Sequence, residues 1–141
     1  MPLPHHVFCD TSFFYACLDP SDAHHSDAHS LVPEATSSLV KLSTTWDVIS
    51  ETVTLLRYRL GHASALGFVD GMYPRLHVVA YGADVRAQAL AVFRRYGREH
   101  RLSFCDAISF VVVTVLLERM PCFTFDEDFR RLGMTVIASP R

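Results

Sequence analysis

The feature that most constrains the fold of this chain is the alternation of short strand-like runs with longer segments of helical periodicity. Runs this short suit strands that are buried on both faces, whereas the segments between them repeat apolar residues every three or four positions, as amphipathic helices do. Strands that alternate with helices in this way indicate a parallel sheet covered by helices. The predicted strands are 7–9, 42–44, 76–80, 122–125 and 134–137.

Residues that begin or end helices divide the segments between the strands. Thr45 is a suitable N-cap for a helix that closes at Gly61, and Gly97 and Pro121 are expected to end two later helices. Pro33 is a liability inside the second helix, because it removes a backbone hydrogen bond. Besides the helix between Thr45 and Gly61, the predicted helices are 13–18, 22–41, 63–72, 83–96 and 106–119.

The length and composition favour one packed domain. The chain has 141 residues, of which 50% are hydrophobic and 20% are charged, and no Pro- or Gly-rich stretch interrupts it. We therefore expect a single domain over residues 1–141, with a three-layer α/β/α architecture and a central parallel sheet of about five strands.

Charge and hydropathy restrict the partners and the location. The net charge of −2 is not that of a generally basic nucleic-acid coat, so any contact with nucleic acid must be local. The four cysteines form no C-x-x-C pair, and the start of the chain lacks the pattern of a signal peptide. The longest apolar run, 107–117, is shorter than the roughly 20 residues that a bilayer requires. These features predict a cytoplasmic protein without a membrane span.

Four acidic residues lie where an open α/β sheet binds its ligands. Asp10 and Asp126 follow predicted strands, and Glu51 and Asp106 lie near the starts of helices. Each is surrounded by apolar residues, which makes its charge costly unless a partner offsets it. Each acid alone could be no more than a helix cap, but carboxylates that share one sheet edge would repel one another. A divalent cation such as Mg²⁺ or Mn²⁺ would reverse that repulsion and could activate water against a phosphodiester.

Four sequence blocks around these acids resemble the acidic motifs of PIN domains, and they are most similar to those of VapC toxins. They occur in the same order and cover nearly the whole chain, which makes the set far more specific than any one of them. The blocks are FCDTSFF (8–14), ISETVTLLR (49–57), LSFCDAISF (102–110) and TFDEDF (124–129).

The resemblance implies a PIN-like fold and a Mg²⁺- or Mn²⁺-dependent endoribonuclease. VapC-like proteins cut tRNA, rRNA or mRNA, commonly form homodimers, and are silenced by a VapB-type antitoxin that occupies the cleft. Thr11 or Ser12 would support the first acid through a hydroxyl, and Asp128 is a further possible metal ligand beside the favoured Asp126. The implied catalytic and metal-binding acids are Asp10, Glu51, Asp106 and Asp126.

A basic run precedes the third acid. Arg94, Arg95, Arg98 and Arg101 could be a solvated helix end, where cations meet the negative end of the helix dipole. They could equally bind RNA, by guiding its phosphates past the repulsive carboxylates.

Other functions fit the sequence less well. An aspartyl phosphatase needs a second acid two residues after the first, where this chain has Ser12, and a receiver domain needs a late lysine, whereas Lys41 is early. The remaining alternatives are a catalytically idle PIN-like module that binds RNA or protein, and a PIN nuclease that processes RNA instead of acting as a toxin.

Overall fold

The computed structural model describes residues 3–139, and these form an α/β fold around one five-stranded sheet. The strand order is β3-β2-β1-β4-β5, and every neighbouring pair is parallel. The predicted fold class and the parallel sheet are therefore confirmed. The strands are β1 (His6–Cys9), β2 (Lys41–Thr44), β3 (His77–Val78), β4 (Cys122–Phe123) and β5 (Val136–Ile137).

The helices cover both faces of the sheet. From β1 the chain adds β2 and β3 on one side of that strand, and it then crosses to add β4 and β5 on the other side. Right-handed connections therefore place the helices that precede β3 on one face of the sheet and those that follow β3 on the opposite face. In agreement, α1 packs against α2 and α3, and α5 packs against α6. The helices are α1 (Thr11–Leu18), α2 (His25–Ser37), α3 (Trp46–Leu60), α4 (His62–Gly67), α5 (Ala83–His100), α6 (Phe104–Val111) and α7 (Glu127–Arg131).

Two helix ends predicted from glycine and proline were wrong. Helix α5 continues through Gly97 to His100, and Arg101 ends it in the left-handed conformation with φ of 50°. The helix predicted over 106–119 begins at Phe104 and gives way after Val111 to a π-helical turn. A run of β-branched residues crowds the helix there, which explains why regular geometry is lost well before Pro121.

The second predicted helix is shorter than expected, and the fourth is divided. Asp22 accepts a hydrogen bond from the backbone N–H of His24 (2.8 Å), so a turn precedes α2. Leu39 follows the end of α2 with φ of 56°, while Pro33 is accommodated inside it. The segment predicted as helix 63–72 consists of α4 followed by a π-helical turn.

The last three strands are also shorter than predicted, and β4 has a specific reason to be. After Phe123 the backbone amides no longer bond to a neighbouring strand. The amide of Phe125 donates to the hydroxyl of Ser12 (2.9 Å) instead of to a neighbouring strand. This departure from the sheet lies at the edge where the acidic residues meet.

The core is aromatic and surrounds β1, whose Val7, Phe8 and Cys9 are fully buried. Phe68 lies 5.1 Å from Phe14 between ring centroids, in an edge-to-face arrangement, and both rings are fully buried. This contact ties the segment after α4 to α1, which carries the first acid at its start.

Phe68→Ala is expected to destabilise the protein by about 3–5 kcal/mol, because it leaves a cavity next to Phe14. Urea unfolding followed by circular dichroism would measure the change. Leu66→Ala, two residues away and 42% exposed, is the matched control. It should cost no more than about 0.5 kcal/mol. Equal effects of the two substitutions would contradict the assignment of Phe68 to the core.

Candidate active site

Two neighbouring strands each lead into an aspartate. Asp10 follows β1 as the N-cap of α1, and Asp126 lies shortly after β4 as the N-cap of α7. Because β1 and β4 are adjacent and parallel, their carboxyl ends meet at one sheet edge. The chain leaves the two strands toward opposite ends of the sheet, and such a switch point is where open α/β sheets form ligand crevices.

Asp106 reaches the same edge from helix α6. Its backbone N–H donates to Ser103 Oγ (3.0 Å), and its Oδ2 accepts from the backbone N–H of Ser103 (3.3 Å), which is a capping box. Carboxylate oxygens of Asp10, Asp106 and Asp126 lie within 4.8 Å of one another. Glu51 of α3 lies outside that close group but lines the same pocket of about 350 Å³. The structure thus brings all four predicted acids to one pocket.

The Asp10 carboxylate is held by three donors. Its Oδ1 accepts from the Ser12 hydroxyl (2.8 Å) and the Phe13 amide (3.1 Å), and its Oδ2 accepts from the Thr124 hydroxyl (2.8 Å). Ser12 Oγ also accepts from the Phe125 amide, which ties the segment after β1 to the segment after β4. The orientation of this buried carboxylate is therefore fixed before any ligand arrives.

The two hydroxyl residues proposed as supports occupy different positions. Ser12 contacts Asp10 directly, as described above. Thr11 lines the pocket, and its hydroxyl accepts a long hydrogen bond from the hydroxyl of Thr52 (3.5 Å). The motifs did not indicate Thr124, although its hydroxyl group and its position two residues before Asp126 can be read from the sequence. Besides donating to Asp10, the Thr124 hydroxyl accepts a hydrogen bond from the Asp126 amide (3.0 Å).

Burial and mutual repulsion disfavour the charged forms of these acids. Burial raises the pKa of Asp10 to about 7, in spite of its three hydrogen bonds, and the Asp106 carboxylate adds to the rise. Burial also raises the pKa of Asp106 to about 6, with further contributions from Asp126 and Glu51. Charge has accumulated here at a cost to the folded protein, so a compensating cation is expected.

No ion pair to these acids is formed within the part of the chain that the structure describes, since none of its Arg, Lys or His side chains pairs with any of the four. The donors are all carboxylate oxygens, the ligand type that Mg²⁺ and Mn²⁺ prefer. The residues present therefore fit a hard divalent cation.

Comparison with known proteins agrees with this arrangement. The model of the family described as PIN domain matches residues 7–134. The chain belongs to the PIN-domain family. A VapC ribonuclease of Archaeoglobus fulgidus is 31% identical over 123 residues, which cover 85% of this chain and 76% of the relative. The 23S rRNA-specific endonuclease VapC20 of Mycobacterium tuberculosis is 32% identical over 132 residues, which cover 93% and 97%.

A solved PIN-domain structure shows the same fold. The crystal structure of Mycobacterium tuberculosis VapC20, described as a sarcin-ricin loop cleaving toxin, superposes with a TM-score of 0.78 at 30% identity. The match covers 92% of this chain and 96% of that one. The resemblance to PIN domains and to VapC ribonucleases that the motifs implied is thereby confirmed, together with the PIN-like α/β fold.

Asp128 lies apart from the carboxylates that converge in this PIN domain. Its Oδ1 accepts from Arg131 (3.3 Å) and lies 3.9 Å from His100 Nδ1. It belongs neither to the close carboxylate group nor to the lining of the pocket. Its backbone amide donates to Asp126 Oδ1 (2.9 Å), so its position favours a supporting role for the loop that carries Asp126.

The basic run occupies the exposed end of α5 and the residue after it. Arg94, Arg95, Arg98 and Arg101 are all exposed, and none lines the acidic pocket. Within residues 3–139, the arginine that lines the pocket is Arg59, which the sequence motifs did not indicate. The available signal was helical spacing, because Arg59 lies eight residues after Glu51 and so shares its face of α3.

Proposed function

We propose that this VapC-family protein is a Mg²⁺- or Mn²⁺-dependent endoribonuclease whose catalytic and metal-binding acids are Asp10, Glu51, Asp106 and Asp126. The observation that carries the proposal is the convergence of three carboxylates within 4.8 Å at the switch point of the sheet. Within residues 3–139, no Arg, Lys or His forms an ion pair with them. Asp128, the further possible ligand, is the weaker candidate because it already pairs with Arg131.

The pocket can perform hydrolysis because its carboxylates are held in place before RNA binds. A divalent ion bound there would polarise the scissile phosphodiester and lower the pKa of a bound water. Ser12 and Thr124 fix the orientation of Asp10, and Ser103 fixes the position of Asp106. Without a cation the four acids would repel the phosphate, so substrate binding and metal binding are expected to depend on each other.

The function is tested by incubating the purified chain with total cellular RNA in Mg²⁺ or Mn²⁺, beside a sample in EDTA. We expect discrete fragments that appear only with the metal. Because the relative VapC20 is named for cleavage of 23S rRNA, ribosomal RNA is the first substrate to examine, ahead of tRNA and mRNA. Binding of RNA without cleavage, by folded and antitoxin-free protein, would contradict the proposal and favour an idle binding module.

We propose that the chain is a single domain over residues 1–141, that it acts in the cytoplasm as the toxin of a pair with a VapB-type antitoxin, and that it forms a homodimer. The motif resemblance and the VapC relatives support the pairing. No helix within residues 3–139 combines the length and apolar character needed to cross a bilayer. Toxicity that a co-expressed antitoxin relieves would distinguish this role from RNA processing.

Arg98→Glu is expected to weaken RNA cleavage. We propose that Arg94, Arg95, Arg98 and Arg101 bind RNA phosphates, and reversing one exposed charge replaces attraction by repulsion. The measurement is kcat/KM over a salt series, with a loss of about tenfold at low salt that diminishes as salt screens the charges. Arg86→Glu, also on α5 but outside the basic run, is the matched control. The same loss in both variants, or no loss at any salt concentration, would contradict a role for the basic run.

A further inference from the structure

A second and larger groove lies beside the acidic pocket. It has a volume of about 770 Å³ and lies between α3 and the start of α6. Three aromatic side chains on its walls are unusually exposed, namely Trp46 at 61%, Tyr58 at 89% and Phe104 at 42%. Large apolar side chains that share an exposed concave surface indicate a binding site.

The groove is continuous with the acidic pocket. Glu51, Leu55 and Arg59 line both of them. These residues recur every four positions and therefore form one face of α3, which acts as the common wall. A phosphodiester polymer that is cut at the acids would pass along this face of α3, so the nucleotides next to the cut would enter the groove.

Within residues 3–139, the groove is lined by one positively charged side chain, Arg59, and by the carboxylates of Asp47 and Glu51. The Arg59 guanidinium lies 5.3 Å from the centre of the Tyr15 ring, and no carboxylate within residues 3–139 forms an ion pair with it. The carboxylate of Asp47 is engaged, because it accepts a hydrogen bond from the Tyr81 hydroxyl (2.6 Å). Arg59 is thus available for a phosphate at the junction of groove and pocket.

The opposite rim connects the groove to the basic run. The Phe104 ring packs edge-to-face against Phe93, with 5.8 Å between centroids. Phe93 directly precedes Arg94 and Arg95 on α5. The groove therefore lies between the acids and a positively charged helix end, which favours a polyanion such as RNA over a basic or neutral peptide.

We propose that this groove is an RNA subsite that holds unstacked bases of the nucleotides flanking the cut. Tyr58, Trp46 and Phe104 supply the stacking surfaces, and Arg59 binds the phosphate between the groove and the acids. Proteins commonly hold looped or single-stranded RNA by stacking its bases on aromatic rings, and any base can stack in this way. The proposal rests on the proposed function, because it takes the acidic pocket as the place of cleavage.

The test compares Tyr58→Ala with Tyr58→Phe, which keeps the ring, and with Leu66→Ala, an exposed residue that lines neither the groove nor the pocket. After the cut is mapped with the unmodified chain, an RNA of that sequence is cleaved by each variant. We expect Tyr58→Ala to lower kcat/KM by about 10- to 100-fold, as loss of one stacked base does. Tyr58→Phe should lose far less, because it keeps the ring, and Leu66→Ala should remain within about twofold. On an RNA with abasic units beside the cut, Tyr58→Ala should have almost no further effect.

A binding measurement separates this proposal from the proposed function. Fluorescence of a 2-aminopurine-labelled single-stranded RNA reports stacking without any cleavage, and it should show quenching that Tyr58→Ala reduces and Tyr58→Phe retains. If the chain cuts no RNA but this quenching occurs, the subsite stands and the nuclease assignment fails. If Tyr58→Ala leaves both cleavage and quenching unaffected, the subsite proposal is overturned. Weaker binding of the antitoxin or of a second copy by that variant would then identify the groove as a protein interface.

Discussion

Asp106→Asn should reduce RNA cleavage by about 10³-fold or more. A lost metal ligand removes several kcal/mol of charge stabilisation from the reaction, and each 1.4 kcal/mol is about a factor of ten in rate. Asparagine retains a carbonyl oxygen that can accept from the Ser103 amide, so the capping box is expected to survive. The measurement is single-turnover cleavage of the mapped RNA in Mg²⁺, with circular dichroism to verify folding.

Asp128→Asn is the matched control for this experiment. Asp128 lies in the first turn of α7, two residues after Asp126, but its carboxylate is paired with Arg131 and lies outside the group of converging acids. We expect it to retain cleavage within about tenfold, as changes to residues around a metal site commonly do. A loss as large as that of Asp106→Asn would make Asp128 a ligand, and nearly full activity of Asp106→Asn would contradict the proposed site.

Asp10→Asn should stabilise the metal-free protein at pH 8 and remove most of its stabilisation by Mg²⁺. In the folded chain, burial and the neighbouring Asp106 raise the pKa of Asp10 to about 7, above its value of about 3.9 in an unfolded chain. A raised pKa means stability that is present below the unfolded value and is lost as the pH rises through the folded value. Removing the charge should therefore raise the free energy of unfolding by about 1–3 kcal/mol at pH 8, with little gain at pH 4.

The hydrogen bonds around Asp10 permit this substitution. An asparagine oxygen can replace Oδ1 and accept from Ser12 and Phe13, and asparagine is an equally good N-cap. The amide nitrogen would donate to Thr124 Oγ1, whose own hydroxyl can turn toward Ser12 Oγ at 3.2 Å. The polar groups of the network thus keep partners while the charge disappears.

Thermal unfolding in EDTA and in Mg²⁺, at pH 4 and pH 8, would measure these effects. Asp19→Asn is a control of opposite sign, because hydrogen bonds from Tyr15 and Ser21 lower the pKa of Asp19. Its charge stabilises the fold above its unfolded pKa, so its removal should destabilise the protein at pH 8. If Asp10→Asn also destabilises the metal-free protein at pH 8, the acids do not form the repulsive cluster described here.

The order of elements and the four acids could be predicted from the sequence because both depend on local patterns. Buried strands, helix periodicity and the acids beside them are visible along the chain, and strands that alternate with helices constrain the sheet to be parallel. Element ends were predicted less well, since they depend on contacts that are distant in sequence. Strand β4 ends at Phe123 because the amides that follow donate to side chains instead of to a neighbouring strand. The Phe125 amide donates to the Ser12 hydroxyl, and the Asp126 amide donates to the Thr124 hydroxyl.

The α/β class and the four acidic blocks follow from residue types at fixed spacing along the chain, and the resemblance to PIN domains rests on the same blocks. Packing in three dimensions brings three carboxylates within 4.8 Å of one another and pairs Asp128 with Arg131. It also placed Arg59 in the acidic pocket and exposed Tyr58 beside it. Helical spacing places Arg59 on the same face of α3 as Glu51. Which cavity that face lines, and whether a side chain beside it is exposed, depends on how α3 packs against the other elements.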